Sequence, residues 1–111
     1  MIVIYTAENI DALKNKRQTT SHYDLLWMPE NDNHPVKEAR KIRNFLEDYK
    51  NSPLREIYTM RDTAANIVGE MISRGEISND DISIVIVPDN TEYRFDSKGF
   101  IVNWPYVFYN W

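Results

Sequence analysis

At 111 residues, with 42% apolar and 27% charged side chains, the chain suits one folded domain, residues 1–111, and its composition argues against disorder. It contains no cysteine, which excludes disulfides, thiolate metal sites and cysteine nucleophiles. The formal net charge of −4 arises in residues 51–111, which carry nine acidic and five basic groups, whereas residues 1–50 carry eight of each. Because no basic face is evident, we do not expect direct binding to nucleic acid.

The chain opens with a short apolar run, residues 1–5, that is followed at once by polar residues. This run is too short for the hydrophobic region of a signal peptide. No stretch approaches the length that spans a bilayer. We therefore expect a soluble, cytoplasmic protein without a membrane partner.

The first half of the chain predicts two short strands and one long helix. Residues 2–5 and 23–28 favour strands, and Pro29 ends the second. Residues 9–17 predict about a turn or two of helix. After Pro35, apolar residues at three-and-four spacing indicate an amphipathic helix of about four turns. Its apolar stripe comprises Val36, Ala39, Ile42, Phe45, Leu46 and Tyr49.

A second helix and a buried strand follow. The helix is predicted to begin near Pro53 or Thr59 and to end at Gly75. Its buried stripe comprises Met60, Ala64, Ile67, Val68, Met71 and Ile72. Residues 82–87 are nearly all apolar, as in a central strand that is covered on both faces.

The last predicted strands form a hairpin. Residues 92–95 and 100–104 are joined by a turn in which Gly99 is placed for a positive φ, and an aromatic tail follows Pro105. The element order is therefore two strands, two helices and three strands. From it we predict a single α+β domain with two helices packed on one face of a mainly antiparallel four- or five-stranded sheet.

No motif for a metal or cofactor is evident. The only histidines are His22 and His34, each two residues from an aspartate, whereas metal sites need three or four converging ligands. Both histidines are expected on the surface. Phosphate-binding loops need closely spaced glycines, and the three glycines here are far apart: Gly69, Gly75 and Gly99. We predict neither a metal site nor a cofactor.

Asp62 and Glu70 offer the best two-carboxylate arrangement, since their spacing places them near one face of the second helix. Basic residues nearby in sequence offer ion-pair partners instead: Arg55, Arg61 and Arg74. We favour the ion pairs and predict that the protein is not an enzyme. The alternative is a small metal-independent hydrolase using Asp62, Glu70 or His22.

The C-terminal third is both acidic and aromatic. Residues 76–92 contain five carboxylates and no Lys or Arg, and eight aromatic residues lie in residues 93–111. Part of this aromatic set is expected to cover the helices and part to be exposed. Exposed Tyr and Trp are typical anchors at interfaces, and carboxylates beside them steer a basic partner.

We therefore hypothesise a small acidic inhibitor, most specifically an immunity protein or antitoxin that covers the basic active-site surface of a toxin, such as a nuclease. The general character resembles bacterial toxin-immunity proteins. The candidate steering charges are Asp80, Asp81, Asp89 and Glu92, and the candidate anchors are Tyr93, Trp104 and Trp111. Besides the hydrolase, the alternatives are a phage anti-defence protein and a small structural subunit of an assembly.

Overall fold

Helices and strands alternate through most of the chain. The computed structural model describes residues 1–19, 24–29, 35–47 and 49–104. The strands are β1 (Ile2–Ala7), β2 (Leu25–Met28), β3 (Arg55–Thr59), β4 (Ile82–Val87) and β5 (Thr91–Arg94). The helices are α1 (Ile10–Gln18), α2 (Pro35–Leu46) and α3 (Thr63–Ser73), with short 3-10 turns at Tyr49–Asn51 and Asn79–Asp81.

The strands form one mixed sheet in the order β2-β3-β1-β4-β5. β1 pairs in parallel with β3 and β4, β2 pairs in parallel with β3, and β5 alone is antiparallel to its neighbour. The predicted mainly antiparallel sheet with two helices on one face is therefore wrong. α1, α2 and α3 each connect two parallel strands, because parallel pairing requires a crossover.

One missed strand accounts for much of this error. The sequence predicts the start of a helix within residues 53–59, yet residues Arg55–Thr59 form β3, between β2 and β1. Ile57 and Tyr58 are fully buried there. β-branched and aromatic residues suit a buried extended chain, and the helix itself begins only at Thr63.

The strongest local patterns are confirmed. α2 and α3 bury residues of their predicted apolar stripes, among them Ile42, Leu46 and Val68. β4 is a central strand with buried residues on both faces, as its composition predicts. Gly75 follows the end of α3 with a φ of 75°, a conformation that favours glycine.

Helices cover both faces of the sheet. On one face, α2 and α3 pack on Ile4, Ile57 and Ile84, forming the larger core. On the other face, Leu13 of α1 packs with Tyr58 in a smaller core. The two cores are separate because successive side chains of a strand point to opposite faces.

A buried ion pair joins the end of β2 to α2 and to the loop after β3. Arg61 Nη2 lies 2.9 Å from Glu38 Oε2, and Arg61 Nε donates to the two carboxylate oxygens at 3.1 and 3.0 Å. Arg61 Nη2 also donates to the carbonyl oxygen of Met28 at 3.1 Å. The Arg61 and Glu38 side chains are only 13% and 4% exposed, so each charge depends on its partner.

A buried carboxylate lies beside two tyrosines under α1. The Tyr58 hydroxyl donates to Glu56 Oε1 at 3.4 Å, and Glu56 is 2% exposed. Burial, then the Glu56 charge and hydrogen bond, raises the pKa of Tyr5 from 10.0 to about 12. The pKa of Tyr58 is raised for the same principal reason, burial, and further by the charge of Glu56.

We expect this arrangement to make the protein sensitive to alkali. The unfolded chain releases the Tyr5 proton near pH 10 and the folded chain near pH 12, so stability holds below pH 10 and falls as pH rises through 12. Absorbance of tyrosinate during a pH titration measures this directly. Tyr5→Phe should remove one late-titrating group, and Glu56→Gln should shift the late titration to lower pH. Titration of every tyrosine near pH 10 in the folded protein would contradict the assignment.

Candidate protein-binding surface at the C-terminal hairpin

The candidate surface is built on residues 91–104, which we call the hairpin. Asp96 shapes its turn, because Oδ1 of this residue accepts hydrogen bonds from the N–H of Lys98 at 2.9 Å and of Phe100 at 3.0 Å. Gly99 adopts a φ of 91°, the positive value that the sequence predicts. The turn is therefore specified by its own side chains and backbone.

The segment after the turn returns along β5 with less pairing than expected. The predicted strand 100–104 is reduced to one bridge between Phe95 and Ile101. The N–H of Val102 also donates to the carbonyl oxygen of Arg94 at 2.9 Å. This register decides which side chains of the hairpin face the core.

Two glycines hold the turn against α3. A Cβ built on Gly69 would lie 2.5 Å from the carbonyl oxygen of Gly99, and a Cβ on Gly99 would overlap the carbonyl oxygen of Gly69. The backbones therefore approach each other with no side chain between them. This contact explains a glycine in the middle of a helix, where it costs about 1 kcal/mol relative to alanine.

The two sides of the hairpin have different environments. Phe95 is 3% exposed and lies in the larger core, against which Ile101 also packs. Phe100 and Val102 flank Ile101 and are 68% and 45% exposed. The side chain of Phe100 is thus exposed to solvent on a turn that is held by the hydrogen bonds to Asp96 and by the contact of Gly99 with α3.

Phe100 is not among the predicted site residues. The sequence did contain a signal for the exposure of Phe100. Phe95 and Phe100 lie at opposite ends of the predicted turn, and side chains alternate between the two faces along each strand. If Ile101 faces the core, its neighbours Phe100 and Val102 must face away from it.

Two of the predicted steering residues, Asp80 and Glu92, contact the same arginine, Asp80 through its backbone and Glu92 through its carboxylate. Arg94 Nη1 is 3.3 Å from Oε1 of Glu92, and Arg94 Nη2 donates to the backbone carbonyl oxygen of Asp80 at 3.3 Å. The Glu92 side chain is 53% exposed and that of Arg94 is 44% exposed. The backbone of Asp80 and the carboxylate of Glu92 therefore both lie next to Arg94, which partly offsets the charge of Glu92.

The other two predicted charges lie elsewhere. Asp81 Oδ2 accepts a hydrogen bond from the Tyr49 hydroxyl at 3.5 Å. Asp89 is exposed in the turn between β4 and β5. Asp80 and Asp81 precede β4 whereas Asp89 follows it, so a strand length of about 20 Å separates them. The four carboxylates do not form one cluster.

Two of the predicted anchors pack on each other. The ring centroids of Tyr93 and Trp104 are 5.0 Å apart, and the ring planes cross at 77°. Trp104 packs against the larger core and both side chains are half-buried. They support the hairpin from its core side. The third predicted anchor, Trp111, lies outside the described residues.

The carboxylates of the hydrolase alternative are occupied by other contacts. Glu70 pairs with Arg74 at 2.5 Å, as one predicted ion pair requires, and with Arg43 at 3.3 Å. Asp62 Oδ2 accepts a hydrogen bond from the Asn66 side chain at 3.2 Å. His22 and His34 lie outside the described residues. Within the described ranges, no group of three or more His, Asp or Glu could hold a metal ion.

The carboxyl edge of parallel strands is where open sheets commonly bind ligands, often phosphates at a helix N-terminus. Here Glu8 follows β1, and Asp11 lies in the first turn of α1. Oδ1 of Asn9 already caps this helix by accepting from the N–H of Ala12 at 3.0 Å. The negative charges of Glu8 and Asp11 disfavour an anion at this position, and the Ala12 N–H that could bind one already donates to Asn9.

Comparison with known proteins yields no matching family model, curated protein or solved structure. In the part of the chain that the structure describes, no helix has the length and apolar character needed to cross a bilayer.

Proposed function

We propose that the chain is a non-enzymatic binding protein whose hairpin docks onto a partner protein. The observation that carries this proposal is the exposure of Phe100, at 68%, on a turn anchored by the Gly69–Gly99 contact. Val102 extends the apolar surface beside it. Glu92 and Arg94 give that surface a polar border, as at many interfaces.

An anchored turn favours tight binding for an energetic reason. A mobile side chain or loop loses conformational entropy when it becomes ordered on binding. A preorganised surface has already lost that entropy during folding, so its binding is not weakened by it. A phenylalanine buried at the centre of an interface then contributes most of its apolar transfer free energy, about 1.5–3 kcal/mol. Phe100 is therefore the expected anchor.

The charge of the C-terminal half supports a basic partner. Residues 51–111 sum to −4. Glu92 on the hairpin and Asp80, whose backbone contacts Arg94, are exposed, and Asp89 is exposed at the opposite end of β4. A cationic surface, such as the substrate cleft of a toxin nuclease, would be drawn to them. On this basis the specific role proposed is that of a cytoplasmic immunity protein or antitoxin.

The test compares three tagged proteins as baits in lysate of the native cell: wild type, Phe100→Ala and Val36→Ala. Val36 is a matched control because it is an apolar residue of α2 that is 64% exposed. For a protein retained by wild type, Phe100→Ala should weaken the measured Kd about 30-fold, which is about 2 kcal/mol. Val36→Ala should leave the Kd within about twofold.

Charge gives a second readout. Glu92→Lys should slow association with a basic partner and reduce the dependence of the association rate on salt. Equal retention of partners by wild type and Phe100→Ala would contradict the proposal that the hairpin is the docking surface. A retained partner that is acidic, or one whose association is insensitive to Glu92→Lys, would contradict the proposed inhibition of a basic protein.

A further inference from the structure

A second surface lies at the opposite edge of the sheet from the hairpin. α1 and edge strand β2 border an open groove of about 480 Å³, lined by Lys14, Arg17, Gln18 and Trp27. Of the lining side chains in the described residues, Lys14, Arg17 and Gln18 are exposed and Trp27 is half-buried. The groove is thus a basic channel with one aromatic wall.

The aromatic wall belongs to a row of contacting rings across three strands. Trp27 on β2 contacts Tyr58 on β3 with ring centroids 5.6 Å apart, and Tyr58 stacks on Tyr5 of β1 at 5.0 Å. Cations of α1 lie over both ends: Arg17 is 5.0 Å from the Trp27 centroid and Lys16 is 5.3 Å from the Tyr5 centroid. The row thus places Arg17, one of the two cations that line the groove, against its aromatic wall.

These cations are not neutralised within the described structure. Lys14, Lys16 and Arg17 form no ion pair with any carboxylate in the residues that the structure describes. Arg17 instead contacts the face of an indole, a contact that leaves guanidinium N–H groups available for an anion. Among the described residues, the groove therefore carries positive charge without a paired carboxylate, in a protein whose net charge is negative.

The backbone of β2 offers a further set of hydrogen-bonding groups. The Glu56 N–H donates to the Asp24 carbonyl oxygen at 3.0 Å, and Leu25 lies opposite Glu56 in the parallel register. In this pattern the N–H and C=O groups of Leu25 and Trp27 point away from β3. Among the described strands none pairs with that outer edge.

We propose that this groove binds an extended acidic peptide segment of a partner protein, added to the sheet as a strand along β2. The outward N–H and C=O groups of Leu25 and Trp27 would pair with the peptide backbone. Because side chains alternate, carboxylates at every second position would all face α1 and meet Lys14 and Arg17. A nucleic acid matches the charge but has no amide backbone to pair with a strand edge.

The test uses a fluorescein-labelled peptide of alternating glutamate and valine, with binding followed by fluorescence anisotropy. Wild type should bind it saturably at low salt, and a peptide with lysine in place of glutamate should not bind. The double variant Lys14→Glu/Arg17→Glu should weaken binding at least about tenfold. Lys37→Glu/Arg40→Glu on α2 is the matched control, since it makes the same change in net charge at exposed positions and should retain binding.

Two further probes separate strand addition from simple charge attraction. A glutamate-valine peptide N-methylated at the positions facing β2 loses donors but keeps its charge, so it should bind at least about tenfold more weakly. Absence of binding, an equal loss in the two double variants, or no effect of N-methylation would each overturn the proposal. So would tighter binding of polyuridine than of the peptide, because the groove would then be a nucleic-acid site.

Discussion

Arg61→Met is expected to lower the free energy of unfolding by about 3–5 kcal/mol, because it leaves the carboxylate of Glu38 buried without its counter-ion. Glu38 is 3% exposed, and Arg61 supplies it with three close N–O contacts. The change also removes the hydrogen bond to Met28 that holds the end of β2. Urea unfolding followed by circular dichroism measures the loss.

A surface pair provides the control for this prediction. Arg94→Met removes the ion pair with Glu92, whose side chains are about half exposed, and should cost no more than about 1 kcal/mol. If Arg61→Met does not fold, Arg61→Lys retains the charge and loses the forked contact, and should be intermediate. A loss below about 1 kcal/mol for Arg61→Met would show that Glu38 is not held by this partner.

Gly69→Ala is expected to destabilise the protein by about 1–3 kcal/mol and to displace the hairpin from α3. Helix propensity alone predicts the opposite sign, a gain of about 1 kcal/mol. The contact should prevail because the added methyl group would lie 2.5 Å from the carbonyl oxygen of Gly99, and no side-chain rotation can relieve it. The sign of the measured change therefore decides between the two effects.

The displacement of the hairpin should also change the rate of amide hydrogen exchange and the affinity for a partner. Amide hydrogen exchange at Phe100 and Val102 should accelerate in Gly69→Ala, and affinity for a partner held by the hairpin should fall although Phe100 is unchanged. Gly75→Ala is the control, because it strains a positive φ but meets nothing within 4 Å. Stabilisation by Gly69→Ala, with unchanged exchange, would contradict the close contact.

Several features of the fold could be predicted because they depend on local pattern. The periodic apolar residues of α2 and α3, the apolar run of β4 and the turn at Gly99 each carry their own signal. β3 does not, since it begins with the charged residues Arg55 and Glu56, and the burial of Glu56 depends on neighbouring strands. Without β3, the helices could not be recognised as crossovers between parallel strands.

The candidate surfaces were predictable to a smaller extent. The acidic and aromatic composition predicted a binding surface in the hairpin region, which stays a prediction, and it named Tyr93 and Trp104 but not Phe100, because composition does not reveal which side of a strand is covered. The pairing of Tyr93 with Trp104 depends on where the returning segment lies. The groove beside Trp27 depends on three strands that are distant in sequence, so no local pattern indicated it.

The strand order places the two proposed binding surfaces at opposite edges of the sheet. β2 and β5 are the outermost strands of the sheet, and the four spacings between them amount to about 19 Å. The β2 edge carries Lys14 and Arg17 of α1, which pair with no carboxylate in the described residues, and the β5 edge carries the exposed carboxylate of Glu92 and, farther along the hairpin, Phe100. A partner seated on the hairpin would leave the groove accessible, so two proteins of opposite charge could be held at once. On the two proposals taken together, the chain would act as a bridge in a ternary complex.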